Sequence, residues 1–175
     1  MTTRVGPNSI AAGSAGPRVT HLETSVYRIP TDKPEADGTF RWDATTMLLV
    51  EAVAEDGQRG LGFSYCAAAA AGVVHDQLAP AVAGSAVDTV GAAWESMLRA
   101  VRNIGRAGVA ATAISAVDPA LWDLTAKSAG EPLFRLFGPR RDCAPIYGSG
   151  GFSTYTDAEL MEQLGGWVHE HGIPA

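Results

Sequence analysis

The sequence predicts an α+β fold in which a three-stranded antiparallel meander precedes a helical bundle and a single β/α unit. Three observations support this prediction. Residues 18–65 hold three strand-type segments rich in β-branched and aromatic side chains. Residues 67–137 hold apolar segments with helical spacing. From residue 143 onward, a short apolar strand, a glycine-rich turn and an amphipathic helix follow one another, which is the order of a β/α unit.

The three strand segments are consecutive in sequence, which favours an antiparallel meander. Residues 18–30 alternate between two faces, as in a half-buried strand, and Pro30 is predicted to end that strand. A polar loop is predicted over residues 31–43. Residues 45–54 and 59–65 are the second and third predicted strands, and a tight turn with the sequence Glu-Asp-Gly-Gln joins them.

Helical segments dominate the middle of the chain. An Ala-rich helix is predicted over residues 67–82, a second helix over 89–103 with Asp88 as its N-cap, and a third over 110–128. The third segment is apolar nearly all round, so we expect it to be buried on several sides. A short helical turn is predicted over residues 133–137.

The last part of the sequence has the pattern of a single β/α unit. Residues 143–147 are a predicted strand, residues 148–151 form a Gly-Ser-Gly-Gly turn, and Thr156 or Asp157 caps a helix that runs to about His171. Such a unit normally continues into a parallel strand. We therefore expect this sequence to be the truncated front part of a larger fold.

Composition excludes several classes of protein. The 175 residues are 46% hydrophobic and carry a formal charge of −6, which gives no basic footprint for nucleic acid or anionic lipid. No apolar run approaches the roughly 20 residues of a membrane span. Residues 1–18 are rich in Ser, Gly, Ala and Pro and are predicted to be a disordered leader. With no export signal, Cys66 and Cys143 are expected to be reduced thiols in a cytoplasmic protein.

Local motifs give no catalytic centre by themselves. The turn at residues 148–151 lacks the spacing and the Lys-Ser/Thr pair of a phosphate loop, so a tight turn with close backbone packing is favoured. His169 and His171 are two positions apart and point to different sides of a helix, which disfavours joint metal binding. Asp118 lies in an apolar helix, where we expect it to bond a backbone amide or an arginine such as Arg106.

Residues 113–138 (AISAVDPALWDLTAKSAGEPLFRLFG) resemble a signature of the mandelate racemase/muconate lactonizing branch of the enolase superfamily. Two positions depart from that pattern: Pro119 stands at a mid-helix position that is usually aliphatic, and Phe137-Gly138-Pro139 replaces a common Leu-Gly-Gly. The resemblance extends over roughly residues 19–175. The matching positions are Ala113, Ser115, Ala116, Asp118, Ala120, Leu121, Trp122, Asp123, Gly130, Pro132, Leu133 and Gly138.

The resemblance implies a division into domains and a location for substrate contacts. Residues 19–138 would be an enolase-like N-terminal capping domain, and residues 139–175 would begin a (β/α) TIM barrel. Two cap loops, by position residues 30–43 and 64–72, would reach over the barrel mouth and help to select the substrate. Substrate-facing residues are expected on these loops and at the end of the first barrel strand, and the candidates are Phe40, Trp42, Tyr65, Cys66, Ser149 and Phe152.

The chemistry implied by the resemblance is removal of a proton alpha to a carboxylate, with Mg²⁺ stabilising the enediolate. Its base and its three metal-binding carboxylates come from later barrel strands, so no catalytic or metal-binding residue is carried over to this sequence. We expect full-length relatives to be Mg²⁺-dependent dehydratases or racemases of small carboxylates such as acid sugars. We expect this chain to bind no cofactor and to be inactive by itself.

A second hypothesis makes the chain a non-catalytic interaction module. It would be a capping domain that forms a homo-oligomer, or that pairs with a full-length relative or a separate barrel chain. The association would use the apolar surface that faces the barrel.

Overall fold

The computed structural model describes residues 16–174, and its sheet is the predicted meander. Strands β1 (Val19–Ala36), β2 (Arg41–Ala54) and β3 (Arg59–Tyr65) pair antiparallel in the order β1-β2-β3. Each strand follows its neighbour in sequence, so two hairpins complete the sheet. The α+β fold class with a leading three-stranded sheet is confirmed.

The first hairpin is longer than predicted. Pro30 does not end β1, and most of the loop predicted over residues 31–43 is strand. Proline is tolerated here because β1 is an edge strand, whose outward N–H groups need no partner in the sheet. Pro30 faces Ala44, and the next paired residue on β1 is Glu35, so a bulge takes up the extra residues of β1.

Six helices follow the sheet in the described residues, and the predicted helical segments are confirmed with changed bounds. The first predicted helix contains a π-helical turn, Val74–Leu78, in which the Ala79 N–H donates to the Val74 carbonyl. Pro80 comes directly afterwards and has no N–H of its own to continue the regular ladder. The helices are α1 (Ala70–Val73), α2 (Ala79–Val82), α3 (Val90–Ala100), α4 (Val109–Ser128), α5 (Leu133–Leu136) and α6 (Asp157–His169).

Asp88 was predicted to be the N-cap of α3, and that prediction is wrong. The cap position belongs to Thr89, whose side chain does not bond the helix. Both the N–H and the hydroxyl of Thr89 donate to the Ala86 carbonyl, so the chain makes a turn before the helix begins. Asp88 lies inside that turn and is therefore too early to cap the helix.

The core lies between one face of the sheet and the helices, chiefly α4. Leu48, Val50 and Ala52 of β2 are fully buried on this face. α4 contributes nine buried residues, as expected for a segment that is apolar nearly all round. The helix remains continuous through Pro119. Asp118 is only half-buried, and no hydrogen bond or ion pair joins it to another described residue, so the expected bond to an amide or to Arg106 is absent there.

The predicted strand at residues 143–147 does not form. Barrel strands are defined by hydrogen bonds to parallel neighbours, and no described residue pairs with this segment. The helix of the unit, α6, is present, and Thr156 is its N-cap. Of the two caps that the sequence allowed, Thr156 is therefore the correct one.

The predicted leader at residues 1–18 lies largely outside the described residues. Its last two residues belong to the folded part: the Pro17 carbonyl accepts a hydrogen bond from the Val87 N–H, and the Arg18 guanidinium donates to the Gly84 carbonyl at 2.6 Å. Within residues 16–174, no helix is both long and apolar enough to cross a bilayer.

Candidate functional site

The tip of the β1–β2 hairpin is shaped by Asp37. Its carboxylate accepts hydrogen bonds from the Thr39 N–H at 2.6 Å, the Thr39 hydroxyl at 2.8 Å and the Phe40 N–H at 2.8 Å. Bonds from the Thr39 backbone and side chain, then from the Phe40 backbone, lower the pKa of Asp37 below its ordinary value. An ionised Asp37 therefore fixes the turn that presents Phe40 and Trp42.

An aromatic cluster joins this hairpin to the segment before α6. Trp42 stacks on Phe40 with ring centroids 6.1 Å apart, and it contacts Phe152 edge to face at 5.6 Å. Phe152 in turn meets Tyr155 edge to face at 5.6 Å. The indole N–H of Trp42 donates to Glu35 at 2.7 Å, which fixes the plane of the ring. Three of the six predicted site residues, Phe40, Trp42 and Phe152, therefore lie together.

Polar contacts tie the same two segments. The Ser153 N–H donates to the Ala36 carbonyl at 2.9 Å, and the Ser153 hydroxyl donates to the same carbonyl at 3.1 Å. The Lys33 ammonium lies 4.1 Å from the Tyr155 ring centroid and pairs with the Glu159 carboxylate. The hydrogen bond from Lys33, followed by those from Thr156, lowers the pKa of Glu159 from 4.5 to about 2.

Tyr65 and Cys66 lie at the end of β3 and belong to none of these contacts. Tyr65 is 68% exposed and pairs with Met47 in the sheet. Cys66 is half-buried against the core as a free thiol, and its N–H donates to the Thr46 carbonyl. No described contact joins either residue to the aromatic cluster, so their place in one site with it stays a prediction.

Ser149 is exposed on the glycine-rich turn, and its neighbours explain the glycines. A Cβ on Gly148 would overlap the Trp167 ring, and a Cβ on Gly150 would overlap Gln163 and Trp167. The turn therefore packs its backbone directly on α6, as expected for a close-packed turn. The Gly151 N–H donates to the Gln163 side chain at 3.1 Å.

Sequence reasoning missed Lys33, Ser153, Tyr155 and Glu159. Lys33 and Glu159 are 126 positions apart, and no local pattern links them. For Tyr155, a signal exists in the Phe-x-x-Tyr spacing that begins at Phe152. Pro34, Arg41, Trp42 and Asp43 line a shallow cavity of about 430 Å³ beside the cluster.

A larger open cleft of about 970 Å³ lies elsewhere, over residues 134–144, and none of the six candidates lines it. Phe134, Phe137 and three arginines form its walls. We place the candidate site at the hairpin because both segments there hold predicted residues that contact each other.

The described residues do not fit a Mg²⁺ site. Within residues 16–174, no three His, Cys, Asp or Glu side chains lie close enough together to hold a metal ion. Mg²⁺ prefers a set of oxygen ligands in octahedral geometry. No chemical step is therefore assigned to a metal on these residues.

A comparison with protein families establishes which family the chain belongs to. Residues 29–138 match the family model described as mandelate racemase/muconate lactonizing enzyme, N-terminal domain. The chain belongs to the mandelate racemase/muconate lactonizing enzyme family. The resemblance seen at residues 113–138 is thereby confirmed, and the matched part includes the β1–β2 hairpin tip as well as α4.

Individual members of this family agree over most of the chain. It is 33% identical to the L-talarate/galactarate dehydratase of Salmonella typhimurium in an alignment that covers 87% of this chain and 41% of that enzyme. A mandelate racemase/muconate lactonizing enzyme-like protein from Rubrobacter xylanophilus is 49% identical with a TM-score of 0.84, over 87% of this chain and 42% of that one. L-talarate dehydratase from Polaromonas, solved with Mg and L-glucarate, is 30% identical with a TM-score of 0.76, over 87% and 44%. The chain thus spans about two-fifths of the length of these family members.

Proposed function

We propose that residues 19–138 are the capping domain, and residues 139–175 the first β/α unit of the barrel, of a Mg²⁺-dependent acid-sugar dehydratase or racemase. One observation carries the proposal: the hairpin tip of the cap contacts the segment that leads into α6 through Trp42, Phe152 and Ser153. A cap loop that touches the start of the barrel is placed to form one wall of a substrate site between them.

In this proposal Phe40, Trp42 and Phe152 form an apolar wall beside a small carboxylate substrate. Tyr65, Cys66 and Ser149 are proposed to complete the rim. The substrate class is supported by the named activity of the Salmonella relative and by the L-glucarate bound in the Polaromonas enzyme. The metal is supported by the Mg in that same structure.

The proposal places the base and the metal-binding carboxylates on later barrel strands. The 175 residues by themselves are then inactive, because positioned aromatic walls supply orientation and water exclusion but no proton transfer. The test is an assay of the purified chain with galactarate and Mg²⁺. We expect no turnover, and measurable Mg²⁺-dependent dehydration or racemisation would overturn this part of the proposal.

A chimera tests the positive part. Residues 19–175, which include Phe152 and Ser153, replace the corresponding part of the Salmonella L-talarate/galactarate dehydratase, and dehydration is then measured. We expect Trp42→Ala in the chimera to lower kcat/KM by about tenfold to a hundredfold, because a misplaced substrate reacts slowly. Tyr27→Ala, which removes an exposed aromatic from the sheet, is the matched control and should leave kcat/KM unchanged. Equal effects of both variants would contradict a role for the hairpin wall.

The alternative, an interaction module, is favoured by a different observation. The sheet face opposite the core exposes several large apolar side chains, among them Tyr27 at 48%, Phe63 at 62% and Tyr65 at 68%. Exposed patches of this kind are typical of association surfaces. Sedimentation velocity decides between the two: concentration-dependent self-association that Phe63→Ser abolishes favours the module, and a stable monomer counts against it.

Location in the cytoplasm stays a prediction.

A further inference from the structure

One cationic side chain, Lys33 of the hairpin, contacts both α6 and the segment before it. We propose that Lys33 is a positioning residue that locks the β1–β2 hairpin onto the first β/α unit, by binding Glu159 and the face of Tyr155 at once. The functional meaning of this lock rests on the proposed function, because it would hold Phe40 and Trp42 over the substrate site.

Two attractions converge on the Lys33 ammonium. It forms an ion pair with the Glu159 carboxylate, and it lies 4.1 Å from the centroid of the Tyr155 ring. The side chains of Lys33 and Glu159 are 36% and 43% exposed, so solvent reaches the pair. An ordinary surface ion pair contributes little. A cation that is also seated on an aromatic face gains a second, geometrically separate attraction.

Glu159 is held in place by bonds that do not involve Lys33. One carboxylate oxygen, Oε2, accepts hydrogen bonds from the Thr156 N–H at 2.8 Å and the Thr156 hydroxyl at 3.0 Å. The first of these bonds, together with the bond from the Glu159 N–H to the Thr156 hydroxyl at 3.3 Å, forms the capping box of α6. The other oxygen, Oε1, faces Lys33. The cap thus orients the carboxylate, and little conformational freedom is left to lose when the hairpin docks.

Two other contacts join the same segments, and we expect them to weaken when Lys33 is removed. Trp42 meets Phe152 edge to face, and Ser153 bonds the Ala36 carbonyl, on the same two segments that Lys33 joins. These contacts have no charge of their own to draw the segments together. Without the lysine, we expect the hairpin tip to leave this position more often.

The experiment uses the full chain and three variants. Lys33→Met keeps the aliphatic stem and removes the charge, Lys33→Arg keeps the charge, and Glu159→Gln keeps the capping box, which accepts Gln as well as Glu. Arg28→Met is the matched control, since it removes an exposed ion pair, with Asp43, that lies within the hairpin itself.

The readout is limited trypsin cleavage after Arg41 at the hairpin tip, relative to cleavage after Arg102 and Arg106 in the connection between α3 and α4. Lys33 precedes a proline, so trypsin spares that bond, and the Lys33 and Glu159 variants remove no usable site. Arg28→Met removes the site after Arg28, so only the cuts after Arg41, Arg102 and Arg106 are compared. We expect Lys33→Met and Glu159→Gln to speed cleavage at Arg41 by about fivefold to tenfold. Lys33→Arg and Arg28→Met should stay near the wild-type rate.

The salt dependence of the cleavage rate distinguishes loss of the ion pair from a mere change in side-chain packing. Raising NaCl from about 0.05 M to about 0.5 M should speed Arg41 cleavage in the wild type more than in Lys33→Met, because the Lys33–Glu159 pair is present to be screened only in the wild type, while both proteins keep the Arg28–Asp43 pair. Unchanged cleavage in Lys33→Met, or equal acceleration at Arg41 and Arg102, would overturn the proposal. Trypsin cleavage is measured without any acid-sugar substrate, so this test can fail while the proposed function stands.

Discussion

At Gly60 and Gly62 the backbone of β3 lies directly against the backbone of α4. A Cβ on Gly60 would overlap the Ala120 carbonyl and the Leu124 N–H, and a Cβ on Gly62 would overlap the Ala116 carbonyl. Both glycines are buried, while Leu61 and Phe63 on the opposite face are exposed. The helix therefore approaches the sheet more closely than side chains would allow, and glycine is required for steric rather than conformational reasons.

We predict that Gly62→Ala destabilises the fold by about 1–3 kcal/mol, because the added methyl group meets backbone that cannot move aside. Gly91→Ala is the matched control. Gly91 is exposed in the first turn of α3, and nothing lies within 4 Å of a Cβ built there. Urea unfolding followed by circular dichroism measures both. A Gly62→Ala variant as stable as Gly91→Ala would show that the close approach is not essential.

A second residue-scale prediction concerns Glu23. Hydrogen bonds from Arg59, at 2.7 and 3.0 Å, and then one with His21, lower the pKa of Glu23 from 4.5 to about 2. Since the folded pKa lies below the unfolded one, the stabilisation is present above pH 4.5 and is lost as pH falls from 4.5 towards 2. Carbon-13 NMR titration of the carboxyl group should find its midpoint raised towards 4.5 in Arg59→Gln and unchanged in Arg28→Gln. An equal midpoint in wild type and Arg59→Gln would contradict the assignment.

At the scale of elements, α4 carries a proline in its interior without breaking. Pro119 has no N–H for the Ser115 carbonyl, and its ring crowds the preceding turn. The buried faces on both sides of it, including Val117 and Leu121, hold the helix in place against this cost. Tertiary packing here outweighs local propensity.

Restoring the missing bond should therefore stabilise the protein. We expect Pro119→Ala to raise the free energy of unfolding by about 1–3 kcal/mol, measured by thermal and urea unfolding. Pro132→Ala is the control: Pro132 is the N-cap of α5, outside any helix interior, so its replacement should change stability by less than about 0.5 kcal/mol. A loss of stability in Pro119→Ala would mean that the ring fills a space in the packing that alanine leaves empty.

The same elements show what the sequence reveals about the fold. The strand order and the extent of α4 follow from local patterns, namely consecutive β-branched runs and a long apolar segment. The extension of β1 past Pro30 does not, because whether a proline is tolerated depends on being at the sheet edge. The strand predicted at residues 143–147 fails for a related reason: pairing is a property of two segments, and an apolar run specifies only one.

Some residues of the candidate site could likewise be predicted from the sequence, and others could not. Phe40, Trp42 and Phe152 were found through the family resemblance and do lie together. Lys33 and Glu159 were not, because a contact between residues 126 positions apart leaves no trace in spacing. Single charged residues in polar segments are ordinary surface features until the fold brings them together.

At the scale of the whole molecule, the described parts of the chain differ sharply in how much they are stabilised by burial of apolar side chains. Buried residues lie between Val19 and Ala126, and none of the described residues after Ala126 is buried. α6 is instead held by its capping box, by the glycine turn on Trp167 and by the contacts at the hairpin. A segment with few buried apolar contacts can open without unfolding the rest of the molecule.

Hydrogen exchange should reveal this difference. We expect amides of α6 to exchange through local opening, faster than those of β2 and α4 by about two orders of magnitude or more after correction for intrinsic rates. Amides of β2 and α4 must wait for the cap to unfold, because their side chains form its core. Mass spectrometry of peptides under native conditions makes the measurement, with the denatured chain as reference. Equal protection in α6 and α4 would mean that the β/α unit and the cap unfold as one cooperative body, in which case the hairpin contacts would be as strong as the core itself.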